Sequence, residues 1–262
     1  MNKIYVVSKK PDALSDIEKN AVVKLHQQFF DLKADDIIGY LKDRTYVDFF
    51  YEKGTGKLIG TVGIQWYVYD DIAVVYVGNA VIDKDTHSKG LFAKSLLRAV
   101  FKTYFKFPFK RKFLVGFVTS PRAYSYFTKH KSSWPKPFEA VPDHINEIMG
   151  KFLNTFYPHN HKTHEHGYII FPKEVSVRAK SKDQVFKRFT DSWFSCSNIS
   201  FEEGYQLPCI AALNAAIYWV LIKSMFKLPK KSAIKRVINK SKQSMIRFKD
   251  AWYLAVIALL IL

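Results

Sequence analysis

A chain of 262 residues with 48% hydrophobic and 16% aromatic residues can bury a sizeable core, which excludes an intrinsically disordered protein. Lys and Arg number 41 against 23 Asp and Glu, a formal charge of +18, which favours phosphate-bearing ligands, nucleic acid or an anionic membrane surface without choosing among them. Two cysteines, Cys196 and Cys209, are too few for a disulfide framework and match no zinc spacing, so small core residues in a reducing, cytosol-facing compartment are expected.

The opening MNKIYVVSKKPD lacks the apolar run of a secretory signal, and export of the body of the protein is not expected. Lys3 to Val7 suggests a first strand. After Pro11 and Asp12, the apolar positions Ile17, Val22, Leu25 and Phe29 recur at helical spacing, and a short second helix is expected over Ala34 to Leu41. Tyr46 to Tyr51 and Leu58 to Tyr69 are β-rich and joined by Lys53-Gly54-Thr55-Gly56-Lys57, which predicts a hairpin. Asp70-Asp71 makes the next turn. Ala73 to Ile82, nearly continuous in Val, Ile and Tyr, is expected to be a strand buried on both faces.

From Ser88 the period changes. Leu91, Ser95, Leu96, Ala99, Val100 and Thr103 share one helical face, and Pro108 stops the helix. Lys112 to Val118 is a further apolar strand, and Ser120-Pro121 opens a second helix through Ala123 and Phe127, with Pro where its missing donor costs nothing. The alternation of strand and helix predicts an α/β fold with a mixed central sheet, its ligand site at the carboxyl ends of the strands. Residues 130–166, broken by Pro135, Pro137, Pro142 and Pro158, read as an insertion or substrate-covering element of no legible fold. Gly167 to Val177 is expected to return to strand, and Lys182 to Trp193 to helix.

The junction of the Ala73–Ile82 strand with the helix is a ready anion site, because a helix start offers unpaired N–H groups and a partial positive charge, and Gly90 permits close approach. The stretch Ile82-Asp83-Lys84-Asp85-Thr86-His87-Ser88-Lys89-Gly90-Leu91-Phe92 resembles the cofactor turn of the GNAT superfamily of N-acyltransferases. The family signature is Arg or Gln, two residues, Gly, one residue, then Gly or Ala. Here His87 stands at the first position, Gly90 at the second and Phe92 at the last.

Ser120 to Lys129 is similar to the family's second element, an Asn-led helix with Ala, Tyr and Lys. Ser120, Ala123 and Lys129 fit, while Phe127 stands where the family's general-acid Tyr does, leaving Tyr126 or Tyr124 to supply a hydroxyl. The resemblance implies that acyl-coenzyme A, or another acyl-carrier thioester, is the co-substrate, with the cofactor turn made by Ile82, His87, Ser88, Lys89, Gly90, Leu91, Phe92 and Ser120. It implies Tyr126 as acid. Asn79, beside the cofactor on the preceding strand, is then expected to orient the amine or the thioester carbonyl. Asp83 and Asp85 are weighed as bases, against the reading of both as solvated turn residues.

His159, His161, His164 and His166 cluster, but no Cys joins them and the spacing fits no trusted zinc motif, so a polar surface loop is favoured and no metal is expected. Leu207 to Phe226 is an apolar run near the length that crosses a bilayer; Lys223 weakens that reading, and a buried core helix is the alternative. Lys227 to Lys249 carries nine basic residues and no acidic one, and Ala251 to Leu262 has no charge.

Basic residues beside apolar anchors favour peripheral or carboxyl-terminal anchoring at an anionic membrane over a nucleic-acid role, for which no stacking platform is present. The organisation expected is therefore a GNAT-like domain over 1–130, an insertion or substrate-side extension over 131–206, and an apolar, basic, partly helical region over 207–262. The function expected is acyl transfer from a small-molecule thioester donor to an amine. The competing class is a basic membrane-surface or interaction protein that keeps the scaffold without activity.

Overall fold

The computed structural model describes residues 3–83, 90–119, 123–124, 127, 132–136, 139–159, 161–164, 167–170 and 206–214. A strand β1 (Ile4–Lys9) leads through a short 3-10 helix (Pro11–Ala13) to α1 (Asp16–Gln27). Ser15 starts α1 with a capping box: its hydroxyl accepts from the Glu18 amide, and the Glu18 carboxylate accepts from the Ser15 amide. Val22 and Leu25 are buried as the period predicts, but Ile17 is 82% exposed. It sits in the first turn, ahead of the point where the helix meets the sheet.

Next come α2 (Ala34–Lys42), β2 (Tyr46–Glu52), β3 (Leu58–Tyr69) and β4 (Ile72–Ile82), an antiparallel meander as expected. Then α3 (Leu91–Lys106) crosses back to β5 (Arg111–Val118), which lies parallel to β4. The 131–206 stretch contributes β6 (Ser133–Trp134), α4 (Asp143–Phe156) and a separate two-stranded sheet of β7 (His161–His164) and β8 (Gly167–Ile170). The central sheet is completed by β9 (Leu207–Ala212), giving the order β1-β2-β3-β4-β5-β9-β6. It is a mixed α/β sheet with helices on both faces.

Alternate residues of the strands sort cleanly between the faces. Phe50, Val62, Ile64, Val75 and Leu114 pack with Leu96, Ala99 and Val100 of α3. On the opposite face Val47, Phe49 and Leu58 meet α1 and α2, and Val74, Tyr76, Phe113 and Val115 meet Ile145, Met149 and Phe152 of α4. Helix α4 was not expected. Its apolar residues nonetheless have helical spacing, with Pro142 at its N-cap and Pro158 just past its end, so these prolines bound a helix rather than break one.

The expectation of a helix over the whole 207–226 run is corrected in its first part. Residues 207–212 are a strand, with Leu207, Cys209, Ile210 and Ala211 all buried. A strand covered on both faces reads as a continuous apolar run, which periodicity cannot tell from a buried helix. Pro208 falls beyond the two residues of β9 that pair with β6. The strand and helix expected over 171–193, Cys196, and everything expected from residue 215 onward lie outside the described residues. Among the described residues, no helix is long and apolar enough to cross a membrane.

Candidate functional site

The site is built on an irregularity of β4. Its register against β3 steps from Gly63↔Gly78 to Thr61↔Val81, so Val62 alone opposes both Asn79 and Ala80. This is a β-bulge, and Asn79 takes the left-handed conformation it requires, with φ 51. The extra residue reverses the facing of the strand beyond it: Val77 points to the α3 side, yet Val81 packs among the α1–α2 residues and Ile82 on the α3 side.

The bulge turns β4 away from β5. Pairing between them covers Ile72↔Arg111 to Tyr76↔Val115 and then stops, while β5 continues to Val118 against β9. Past Tyr76 the backbone of β4 therefore leaves the β5 ladder, and a notch opens between two parallel strands at their carboxyl ends. Such splits are where open α/β sheets bind ligands.

Beyond β4 the chain enters α3 through Gly90, whose φ of 67 places it in the left-handed region. No side chain caps this helix start, and its first turn holds no acidic residue. Backbone N–H groups and the helix dipole there favour an anion. Leu91 and Ile82 have their side chains in the core and Phe92 packs against it, so whatever Ile82 and Leu91 give a ligand comes from their backbone. Asp83 is not the solvated turn residue expected. It is buried, and its carboxylate takes an ion pair from Lys57 Nζ at 3.2 Å.

Three elements pin the bulge. The Thr61 hydroxyl donates to the Asn79 carbonyl at 3.1 Å, and His26 Nε2 lies 2.9 Å from the same hydroxyl oxygen. Since Thr61 has one proton and spends it on Asn79, His26 Nε2 must be the donor to Thr61, which fixes the tautomer. Burial holds this imidazole neutral, down to about 4. From the other side Arg44 Nε donates to Asn79 Oδ1 at 2.9 Å, leaving the amide NH2 of Asn79 as its remaining donor group.

The Arg44 guanidinium lies 4.6 Å from the centre of the Tyr76 ring. Its stem crosses Gly63, where an added Cβ would come within 3.1 Å of it. Arg44 also lines an open groove of about 570 Å³ beside the 3-10 helix, α1 and the end of α2, together with Lys10, Asp12, Lys19, Lys42 and Thr45. Arg44, His26 and Thr61 were not singled out from sequence. The paired glycines Gly63 and Gly78 were the one visible trace of a crowded crossing.

The notch is filled on the α3 side by Phe127. A Cβ on Gly116 would lie 3.1 Å from the Phe127 ring and 3.4 Å from the Val77 carbonyl oxygen, so the glycine is what admits the ring. Tyr124, weighed as a substitute acid, is buried and donates its hydroxyl to the Pro135 carbonyl at 2.9 Å. Burial also pushes its ionisation upward. Its hydroxyl is committed to the fold and is corrected as an acid. Tyr126, His87, Ser88, Lys89, Ser120 and Asp85 lie outside the described residues.

Of the histidine cluster, His161 Nδ1 lies 2.5 Å from the Tyr157 carbonyl oxygen, and His166 lies outside the described residues. Among the described residues no group of three or more His, Cys, Asp or Glu is placed to hold a metal ion.

No protein-family model and no curated protein matches the chain. Solved structures similar to it include acetyltransferases. One from Trypanosoma brucei is 13% identical over 53% of this chain and 95% of its own, with a TM-score of 0.36. A GNAT-family N-acetyltransferase from Escherichia coli, in complex with CoA, is 15% identical over 48% of this chain and 68% of its own, with a TM-score of 0.36. A putative acetyltransferase from Pyrococcus horikoshii is 12% identical over 80% of this chain and 90% of its own, with a TM-score of 0.42. GNAT is the superfamily that the sequence around Gly90 resembles.

Proposed function

We propose that the chain transfers an acyl group from an acyl-coenzyme A or acyl-carrier thioester to an amine, at the notch between β4 and β5. The observation that carries this reading is the bulge at Asn79, which parts two parallel strands beside the uncapped start of α3 at Gly90. The backbone at Gly90, Leu91 and Phe92 would hold the donor's pyrophosphate, and the Asn79 amide NH2 would orient the thioester carbonyl or the amine. The groove lined by Arg44 is the way in for the acceptor, since Arg44 reaches both the groove and Asn79.

The donor supplies an acyl carbon activated by a thiolate leaving group. The amine nitrogen bonds to that carbon, the carbon–sulfur bond breaks, the ammonium loses a proton and the thiolate gains one. The hydroxyl of Tyr126 is the proposed proton source for the thiolate, because Phe127 and Tyr124 offer none.

Thermal unfolding with a panel of acyl-coenzyme A thioesters tests the binding step, because a ligand that binds only the folded state raises its apparent stability. A rise with at least one thioester is expected, smaller in Gly90→Val, whose β-branched side chain opposes the left-handed backbone. No rise with any member of the panel sinks the reading. The second reading, a scaffold that binds thioester without turnover, is favoured by Phe127 in the notch. Stabilisation with no free thiol released in the presence of an amine mixture would select it.

The basic and apolar stretch 227–262 is proposed to hold the chain at an anionic membrane. Liposome flotation at two salt concentrations, with and without truncation at Asp250, tests that placement. Flotation that truncation leaves unaltered refutes a role for the final apolar run.

A further inference from the structure

The surface at the opposite end of α3 has a different character. Between Leu91 and Lys112 the sequence holds seven Lys and Arg and no Asp or Glu. Arg98 pairs with the buried Asp48 and Arg111 with Asp71. Among the described residues, the other five, all lysines, are in no ion pair. Lys94, Arg98, Lys102 and Lys106 recur every four residues, which sets them in one row along the helix.

Beside that row the fold leaves large apolar side chains in water. Phe105, in the last turn of α3, is 83% exposed, and Phe109, in the turn to β5, is 98% exposed. Val68, 47% exposed, is at the same end: Lys106 Nζ lies 4.6 Å from the centre of the Trp66 ring, two residues along β3. Lys110 and Arg111 fasten the turn to the β3–β4 turn, through the Asp70 carbonyl and the Asp71 carboxylate. This end is therefore held in place, and among the described residues nothing covers the two rings.

We propose that the end of the fold where α3 hands over to β5 docks on an anionic lipid membrane, with Phe105 and Phe109 entering the interface and the lysines of that end, Lys102, Lys106 and Lys110, facing the headgroups. Two signals are needed for stable interfacial binding, and both are here: apolar side chains to bury and uncompensated cations to meet anionic lipid. The rings are phenyl, without a polar edge to satisfy, and they protrude from a helix end and a turn. Single-stranded nucleic acid is instead bound by stacking on aromatics that line a groove.

The orientation is set by α3 itself. Its 16 residues span about 24 Å at about 1.5 Å each. Docking by the carboxyl end of α3 therefore turns its amino end, Gly90 and the notch away from the bilayer and toward water. This surface is distinct from residues 227–262, and its test must separate the two.

The test uses the full chain with vesicles of phosphatidylcholine alone and of phosphatidylcholine with about 30% phosphatidylserine, at about 0.1 M and about 0.5 M salt. Binding to the anionic vesicles, weakened by salt and weak on phosphatidylcholine alone, is expected. Phe105→Ser with Phe109→Ser is expected to lower the partition coefficient about tenfold or more while leaving the unfolding temperature in place, since both rings are exposed. Lys102→Glu is expected to lower it further on anionic vesicles alone. Unaltered partitioning of the double phenylalanine variant overturns the proposal and leaves any binding to other segments. Failure of the wild type to float with anionic vesicles also overturns it, as does tight binding of single-stranded RNA that the same two substitutions abolish.

Discussion

His26 shows how a single buried group can make the site sensitive to acid. Its imidazole is 2% exposed, donates to Thr61, and is pushed down to about 4 by burial alone. In the unfolded chain it titrates near 6.5, so between those values the unfolded state binds a proton that the native state does not. Stability is thus fully present above about pH 7 and falls as pH drops through this window, by about 3 kcal/mol from this group, with no further loss below about 4. Urea unfolding of wild type and His26→Gln across pH isolates the effect: the variant is less stable at neutral pH, and the gap closes on acidification. Parallel curves would show that His26 is not the group that titrates. A steric case stands on β4, where a Cβ on Gly78 would lie 2.6 Å from the Tyr76 hydroxyl oxygen and 2.8 Å from its ring. Tyr76 is locked among Phe117, Phe152 and Arg44, so Gly78→Ala is expected to cost about 2 kcal/mol by overpacking, read as a fall in the denaturation midpoint.

At the scale of elements, the bulge in β4 is the device that parts it from β5. Asn is tolerated at φ 51 because its short polar side chain suits the left-handed region, and here Arg44 holds it. Asn79→Gly should therefore keep the fold within about 1 kcal/mol of wild type, whereas Asn79→Val should lose about 2 kcal/mol or more through strain at a β-branched residue. Equal stability of the two variants would mean that the left-handed backbone is not what position 79 requires. In a thioester binding assay both are expected to be weaker than wild type, because neither offers the amide.

The strand–helix order from Ile4 to Val118 was legible because each element carries its own period and its own stops: the Gly54–Gly56 turn, Asp70-Asp71, and Pro108 after α3. The start of α3 was legible in the same way, through Gly90. What could not be read was whatever depends on pairing at a distance. The bulge is one extra residue in a run that is apolar on both faces, so the change of facing between Val77 and Val81 leaves no mark in the pattern. Arg44 and His26 reach Asn79 and Thr61 from 35 residues away in sequence. Strand β9 has a composition that a buried core helix would share. Helix α4 is the exception, legible in its spacing but hidden by the prolines around it.

For the molecule as a whole, the notch depends on a strand that arrives last. Strand β5 has β4 on one side for five paired residues, up to Val115. On the other side it has β9 for six, from Phe113↔Ala212 to Val118↔Leu207. It is β9 that holds Gly116, Phe117 and Val118 in the sheet after β4 has turned away. Without it these residues would be an unpaired apolar edge, and Tyr124, which packs with Val118, Leu207 and Cys209, would lose that cover. A charge placed at Cys209 does the same damage from inside, since that thiol is fully buried and burial already drives its ionisation well upward. Cys209→Asp is therefore expected to abolish cooperative unfolding or to lower the unfolding free energy by on the order of 3 kcal/mol or more. Cys209→Ala, which removes one atom and adds no polarity, should cost on the order of 1 kcal/mol. The pair matters more than either alone. If the aspartate variant unfolded like the alanine variant, β9 would not be the wall of the notch, and the split between β4 and β5 would need another support. If it loses the fold while the alanine variant keeps both fold and thioester-induced stabilisation, the site near residue 79 is held open from a strand about 130 residues further along the chain.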